Sequence, residues 1–337
     1  MLTVEKLRQK PQHFYRFTGL RVNAFDELLQ ALEPVYNERE YQRKTRRERQ
    51  RALGGGAAFR LTLADRLLMT LVYFRLYVTQ PFLSYLFSLD DSNISREING
   101  RMLPALLDVL PIPQREELGL VQVKAQPENT PGEGALPHPE QGAPGPAAHR
   151  RKKIGSLAEL LEVHPEFKDI FIDGTEQETP RPEDPLAKQQ RYSGKKKRHT
   201  LKTQVTTTDR LILHVSRHVP GRVSDLVLLR FTGVLHQVPK GRCVRLDRGY
   251  ESVEAEYPDV AIEKPIRRGR RQHLTALGKA YNQMQNRLRV VVEHVLGRLK
   301  KYQVLSGRFR GRLDGYDDCF AVCAGLHNFR SMGTLSW

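Results

Sequence analysis

The sequence predicts an all-helical N-terminal domain followed by an α/β domain with a mixed sheet, and three observations carry that expectation. Residues 125–150, AQPENTPGEGALPHPEQGAPGPAAHR, hold six prolines and four glycines with neither helical period nor strand alternation, the composition of a linker. Before this break, apolar residues recur at helical spacing. After it, short β-rich runs alternate with helix-like segments, as in a mixed α/β sheet. The expected boundaries are 1–120 for the helical domain, 121–153 for the Pro/Gly-rich linker and 154–337 for the α/β domain.

In the helical part, Leu63, Leu67, Leu68 and Leu71 predict an amphipathic helix over about 63–77. Thr79 and Pro81 look like the cap and early proline of a short second helix ending at Phe87. Asp90, Asp91 and Ser92 then cap a third helix running towards Leu110. Two helices joined by a tight polar turn make a helix-turn-helix within about 61–110. Its third helix would offer Ser95, Arg96, Asn99 and Arg101 to a major groove. The same pattern also fits a plain three-helix bundle, and the basic run RKTRRERQR at 43–51 tips the reading towards DNA.

In the α/β part, DIFIDGT at 169–175 reads as an apolar strand stopping at Gly174. Residues 201–219 read as a hairpin turning at Asp209 and Arg210. A helix capped by Ser224 should run to Gln237, and strands should cover 243–250, stopping at Asp247, and 260–266. A long helix should occupy about 275–302. Strand ends in open α/β sheets are where ligands collect.

The formal net charge is +17 and the pI about 9.9, which points to a polyanionic partner, nucleic acid or an acidic membrane surface. No apolar run is long enough to span a bilayer, and MLTVEKLRQKPQ lacks a signal peptide's apolar core. The expectation is a cytoplasmic protein, nucleoid-associated when bound to DNA. Cys243, Cys319 and Cys323 give neither a disulfide framework nor a zinc pattern.

From Lys264 to Arg312 the sequence has fourteen Lys or Arg and a single acidic residue, Glu293. On the long helix Leu288, Val291, Val292, Val295 and Leu299 form an apolar face, while Asn286, Arg289, Glu293 and Lys300 share another stripe. Glu293 could simply pair with Arg289. It could instead join Asp173 and Asp247 in an all-oxygen site for two divalent ions acting on a phosphodiester.

At these residues the chain resembles the DDE-type transposases of bacterial insertion sequences, in the group that includes Harbinger-like elements. The matching pieces are FIDGTEQETPRP around Asp173, YSGKKKRHTLK (192–202), PGRVSDLVLL around Asp225, RLDRGY around Asp247 and NRLRVVVEHVLGRLK around Glu293. The resemblance spans about 165–330. It implies an RNase H-like catalytic domain with Asp173, Asp247 and Glu293 as catalytic, metal-binding residues. It further implies two Mg²⁺ ions that Mn²⁺ can replace, double-stranded DNA as partner, and no nucleotide cofactor. Arg289, Glu293 and Lys300 match the signature Tyr-x₂-Arg-x₃-Glu-x₆-Lys, with Asn286 at the tyrosine position. The implied activity is binding of terminal inverted repeats, strand cleavage and joining of 3′-hydroxyl ends to target DNA. Holding two ends at once calls for a homodimer. The rival readings are a transposase-derived DNA-binding protein without catalysis and a metal-dependent nuclease that does not join strands.

Asp225 is the alternative second ligand, or else a helix N-terminal residue favoured by the dipole. SGKKKRH lacks the glycine spacing of a P-loop, so Lys195, Lys196 and Lys197 are expected at a DNA-contacting hairpin tip. Arg267, Arg268, Arg270 and Arg271 are expected on a DNA-backbone loop. His199, His214 and His218 are read as structural residues or phosphate contacts.

Overall fold

The computed structural model describes residues 1–45, 59–115, 154, 156–268 and 273–337. The linker, residues 46–51 of the basic run, and Arg270 and Arg271 lie outside these residues. Among the described residues no helix is long and apolar enough to cross a membrane.

The N-terminal part begins with α1 (Val4–Arg8), α2 (Pro11–Thr18) and α3 (Val22–Thr45), followed by α4 (Leu63–Leu76), α5 (Gln80–Phe87) and α6 (Asp91–Glu97). Thr62 caps α4 by accepting from the Asp65 amide, and Thr79 caps α5 by accepting from Phe82, as its sequence position suggests. The third helix is not uniform. Its middle turn, Ile98–Met102, is a π-helix before α7 (Leu103–Val109) resumes.

A buried polar network anchors these helices. Arg66 reaches the Tyr36 hydroxyl at 2.5 Å and Glu97 at 3.3 Å, Tyr36 donates to Glu97 at 2.9 Å, and Arg101 pairs with Glu97 at 2.8 Å and Glu40 at 3.3 Å. Arg101 therefore works inside the helical layer and does not stand free for a groove as expected.

The second part contains α8 (Leu157–Val163), β1 (Asp169–Glu178), α9 (Pro185–Arg191), β2 (Tyr192–Ser193), β3 (Arg198–Thr207), β4 (Ile212–Val215), β5 (Val219–Pro220) and α10 (Asp225–Thr232). It continues with β6 (Cys243–Arg245), α11 (Val253–Glu256), β7 (Ala261–Glu263), α12 (Ala276–Leu299), α13 (Gln303–Ser306) and α14 (Tyr316–Met332). The strand order is β2-β3-β1-β6-β7, with β4 and β5 also pairing with β3. β1 runs antiparallel to β3 and parallel to β6, and β6 parallel to β7.

Two strand readings are corrected. β1 does not stop at Gly174; it pairs with β3 as far as Glu178↔Thr200, because the partner strand is long enough to hold it. β6 is shorter than expected and ends at Arg245, so Asp247 lies just beyond it. The helix after Ser224 likewise breaks at Gly233, whose φ of 59° is left-handed, and a 3₁₀ turn completes the run to Gln237.

Side chains alternate across β1. Phe171 faces α12 and α14, in a core shared with the N-terminal helices. Ile170 and Ile172 face a second core with α8 and Leu229 of α10. The helical and α/β parts are thus packed on one another. Gln114, just after α7, bridges to β4, its amide donating to the Leu213 carbonyl at 2.8 Å. Asn328 of α14 donates to the carbonyls of Pro111 and Ile212.

Candidate active site

The last parallel pair between β1 and β6 is Phe171↔Arg245. Asp173 and Asp247 each follow two residues later, so both carboxylates leave neighbouring strands towards the same face, where those strands part. α12 packs over that face. Arg289 reaches Asp247 Oδ1 at 2.9 Å, and its positive charge also bears on Asp173. Upstream on the same helix, Gln285 donates to Glu263 at 2.6 Å and accepts from Arg245 at 3.1 Å, which ties α12 to β6 and β7.

Burial pushes the Asp173 carboxyl above the ordinary range, with Asp225 and Asp247 adding to the effect, while the Gly174 amide and Arg289 oppose it. The Gly174 N–H donates to Asp173 Oδ1 at 2.8 Å. Lys300, near the end of α12, is half-buried. Burial and nearby Lys196 lower its ammonium pKa, against the pull of Asp173 and Glu176. The hairpin tip between β2 and β3 thus comes up beside the acidic centre, with Lys195, Lys196 and Lys197 exposed there.

The expected triad is brought together in part. Glu293 is solvent-exposed on α12, one turn beyond Arg289, and Arg289 pairs with Asp247 instead of with it. Among the described residues no three His, Cys, Asp or Glu side chains lie close enough to hold one metal ion. The donor chemistry nonetheless fits a hard divalent cation: two carboxylates on one face, one of them buried among like charges.

Of the other expected contacts, Ser95, Arg96 and Asn99 line a cleft of about 830 Å³ whose far wall includes Arg310 and Arg312. Arg267 pairs with Glu251, and Arg268 is exposed. His218 contacts Asp317 at 2.9 Å, and His199 packs edge-on against Tyr192. His214 is fully buried with neither ring nitrogen partnered, which excludes it as a phosphate contact in this fold. Asn286 is exposed.

Sequence reasoning missed Lys202. It is 6% exposed, its Nζ 2.6 Å from the Val223 carbonyl and 2.9 Å from Asp225. A lysine within the β-rich run LKTQV was the available signal.

A sheet with its central strand antiparallel on one side and parallel on the other, helices on both faces and carboxylates at the parting strands, defines an RNase H-like domain, here preceded by a helix-turn-helix. Residues 172–328 match the family model described as DDE superfamily endonuclease, and residues 59–111 match that described as the helix-turn-helix of DDE superfamily endonuclease. Both matches are to parts of one superfamily and together they span most of the chain, which belongs to the DDE superfamily of endonucleases. It is 31% identical over 182 residues to a probable transposase for insertion sequence element IS702 from Microchaete diplosiphon. That match covers 53% of this chain and 63% of the relative's length. The chain is also distantly similar to the Mos1 transposase paired-end complex with left transposon end, at 11% identity and a TM-score of 0.21, over 87% of this chain and 83% of that one.

Proposed function

We propose that the protein is a transposase that binds the terminal inverted repeats of its element, cleaves at the element ends and joins the exposed 3′-hydroxyls to target DNA. The observation that supports this best is the placement of Asp173 and Asp247 on one face, with Arg289 across them and Lys300 and Lys196 alongside. In this reading Asp173, Asp247 and Glu293 hold two Mg²⁺ ions, or Mn²⁺ in their place. When bound, these would activate the attacking oxygen and stabilise the leaving one.

The chain's own residues do the rest. Arg289 and Lys300 position the scissile phosphate against the acidic face. Lys195, Lys196, Lys197, Arg267 and Arg268 neutralise flanking phosphates and make binding salt-dependent. Ser95, Arg96 and Asn99 read the repeat from the third helix. In cleavage, water adds to phosphorus and the bond to the 3′ oxygen breaks. In joining, that 3′-hydroxyl adds to a target phosphodiester and displaces its 3′ oxygen. The protein acts as a homodimer on DNA, without ATP, in the cytoplasm at the nucleoid.

The test is a supercoiled plasmid carrying the DNA that natively flanks the gene, incubated with Mg²⁺ and the wild type, Asp173→Ala, Asp247→Ala or Glu293→Ala. The expected result is nicking and joining at defined ends by the wild type alone, with all four proteins binding. Equal binding and no cutting by any of them, even with Mn²⁺, would leave a DNA-binding protein. Cutting without joined products would leave a nuclease.

A further inference from the structure

On the face of β1 opposite Asp173, a second set of residues supports the acidic centre. Alternation points Gly174 towards α10, and there is no room for a side chain there. A Cβ on Gly174 would lie 2.7 Å from Asp225 Oδ1 and 3.3 Å from its Cγ. Asp225 is the first residue of α10, whose N-cap Ser224 accepts from the Val227 amide at 3.2 Å. Its carboxylate is gripped from the sheet by Lys202 at 2.9 Å. Lys202 stands directly across from Glu176 in the β1–β3 register, with its ammonium 3.8 Å from that carboxylate.

A separate observation marks the same spot. The Tyr250 hydroxyl is buried without a hydrogen-bond partner. Burial raises the Tyr250 pKa well above the ordinary phenol value, and Asp225, Asp173 and Asp247 raise it further. The unpartnered phenol is a buried, low-dielectric neighbour of these three carboxylates, of which Asp225 and Asp247 stay partly open to solvent.

We propose that Asp225, clamped by Lys202, is a positioning carboxylate of the acidic centre. By packing against Gly174 it fixes the part of β1 from which Asp173 projects, and it balances the buried ammonium that would otherwise repel a cation there. This rests on the reading of Asp173 and Asp247 as a divalent-cation site. Asp225 lies across the strand from Asp173, which makes it a brace and not a ligand. Its place at the start of α10 gives it a favourable helix dipole besides.

The test uses the full chain with Mn²⁺ as probe, comparing wild type, Asp173→Ala, Asp225→Asn, Lys202→Met and the Asp225→Asn/Lys202→Met double variant. Two readouts are taken: Mn²⁺ affinity by calorimetry and hydrogen exchange of the Gly174 amide. Asparagine fills the same space, so a group that only packs would leave both unchanged. Asp225→Asn leaves Lys202 charged with only the more distant Glu176 to balance it, and Mn²⁺ binding should weaken about tenfold. The Gly174 amide should exchange at least about tenfold faster as its bond to Asp173 loosens. Removing the stranded charge in the double variant should bring both to within about threefold of wild type.

Wild-type behaviour of Asp225→Asn overturns the proposal, as does a double variant as weak as Asp225→Asn, which would make Asp225 a ligand. If Asp173→Ala binds Mn²⁺ as the wild type does, the metal reading fails. The Gly174 exchange rates then still decide whether the brace exists.

Discussion

Gly174→Ala tests how tightly the acidic centre is built. The added methyl would approach Asp225 Oδ1 to 2.7 Å, well inside ordinary carbon–oxygen contact. It meets a carboxylate held by Lys202, not the loose end of a mobile chain. Relief requires a shift of about half an ångström in either α10 or β1, and overpacking of this kind costs about 1–3 kcal/mol. Ala regains about 0.5–1 kcal/mol of the backbone entropy that Gly loses in a strand. The net expectation is a loss of about 1–2 kcal/mol, seen in urea as a lower midpoint at unchanged slope. If β1 yields, Asp173 moves with it, and since misplacement by about 1 Å can cost about a hundredfold in rate, a shift of half that costs about tenfold or more. Initial nicking on the native-end plasmid should therefore fall by one to two decades while gel-shift affinity holds. Gly297→Ala is the control. Gly297 lies within α12 with nothing within 4 Å of a Cβ, so the change should stabilise by about 1 kcal/mol. A Gly174→Ala protein as stable and as fast as wild type would refute the close approach as a constraint.

Arg289→Gln removes the cation beside Asp247. It should tighten Mn²⁺ binding about fivefold in calorimetry while slowing nicking at least tenfold, and a loss of both would show that Arg289 organises the site more than it neutralises it. Burial holds His214 neutral, its pKa brought down from 6.5 to about 4. The unfolded chain takes up a proton below 6.5 that the folded one refuses, so this stabilisation is whole above pH 6.5 and is lost between 6.5 and about 4. The loss amounts to about 3 kcal/mol, and His214→Leu should flatten the fall in stability over that span, followed by urea melts at successive pH values. Arg66→Met takes one of two cations from Glu97, 3% exposed, and a donor from the Tyr36 hydroxyl; with Tyr36 and Arg101 still on Glu97 the cost should be about 2–3 kcal/mol. Because the helical and α/β parts share a core, scanning calorimetry of that variant should show one shifted transition; two would refute the common core.

Much of this architecture is legible from local chemistry. Thr79, Pro81 and Ser224 mark helix starts because caps and early prolines act within four residues. Asp247 and the long α12 follow from strand and helix period. What failed needed partners far along the chain. Gly174 looks like a strand stop because glycine usually punctuates, whereas here it is kept small by Asp225, fifty-one positions later. Arg101 has the spacing of a groove contact, but besides Glu97 one turn away it is held by Glu40, sixty-one positions earlier. The exposed position of Glu293 could not be read from helical stripes, since they give an angle and not the distance to another strand.

The linker composition divides the chain into two domains, and the helices before it pack against the second. In α4, Leu67 through Val72 are buried on every side, and a helix apolar all round belongs inside a protein. LLMTLV thus needs packing on more than the one face an amphipathic helix offers, and α2 and α13 supply it. Gln114 joins the helix-turn-helix to the β4 edge, and Asn328 pins Pro111 and Ile212 to α14. On the proposed function this changes what sets the cut position. A reading helix tethered by a flexible linker would fix only a range of distances to the acidic centre. A reading helix packed into the core of the catalytic sheet fixes a direction as well, so the repeat that Ser95, Arg96 and Asn99 contact and the phosphate facing Asp173 stand in a register set by folding itself.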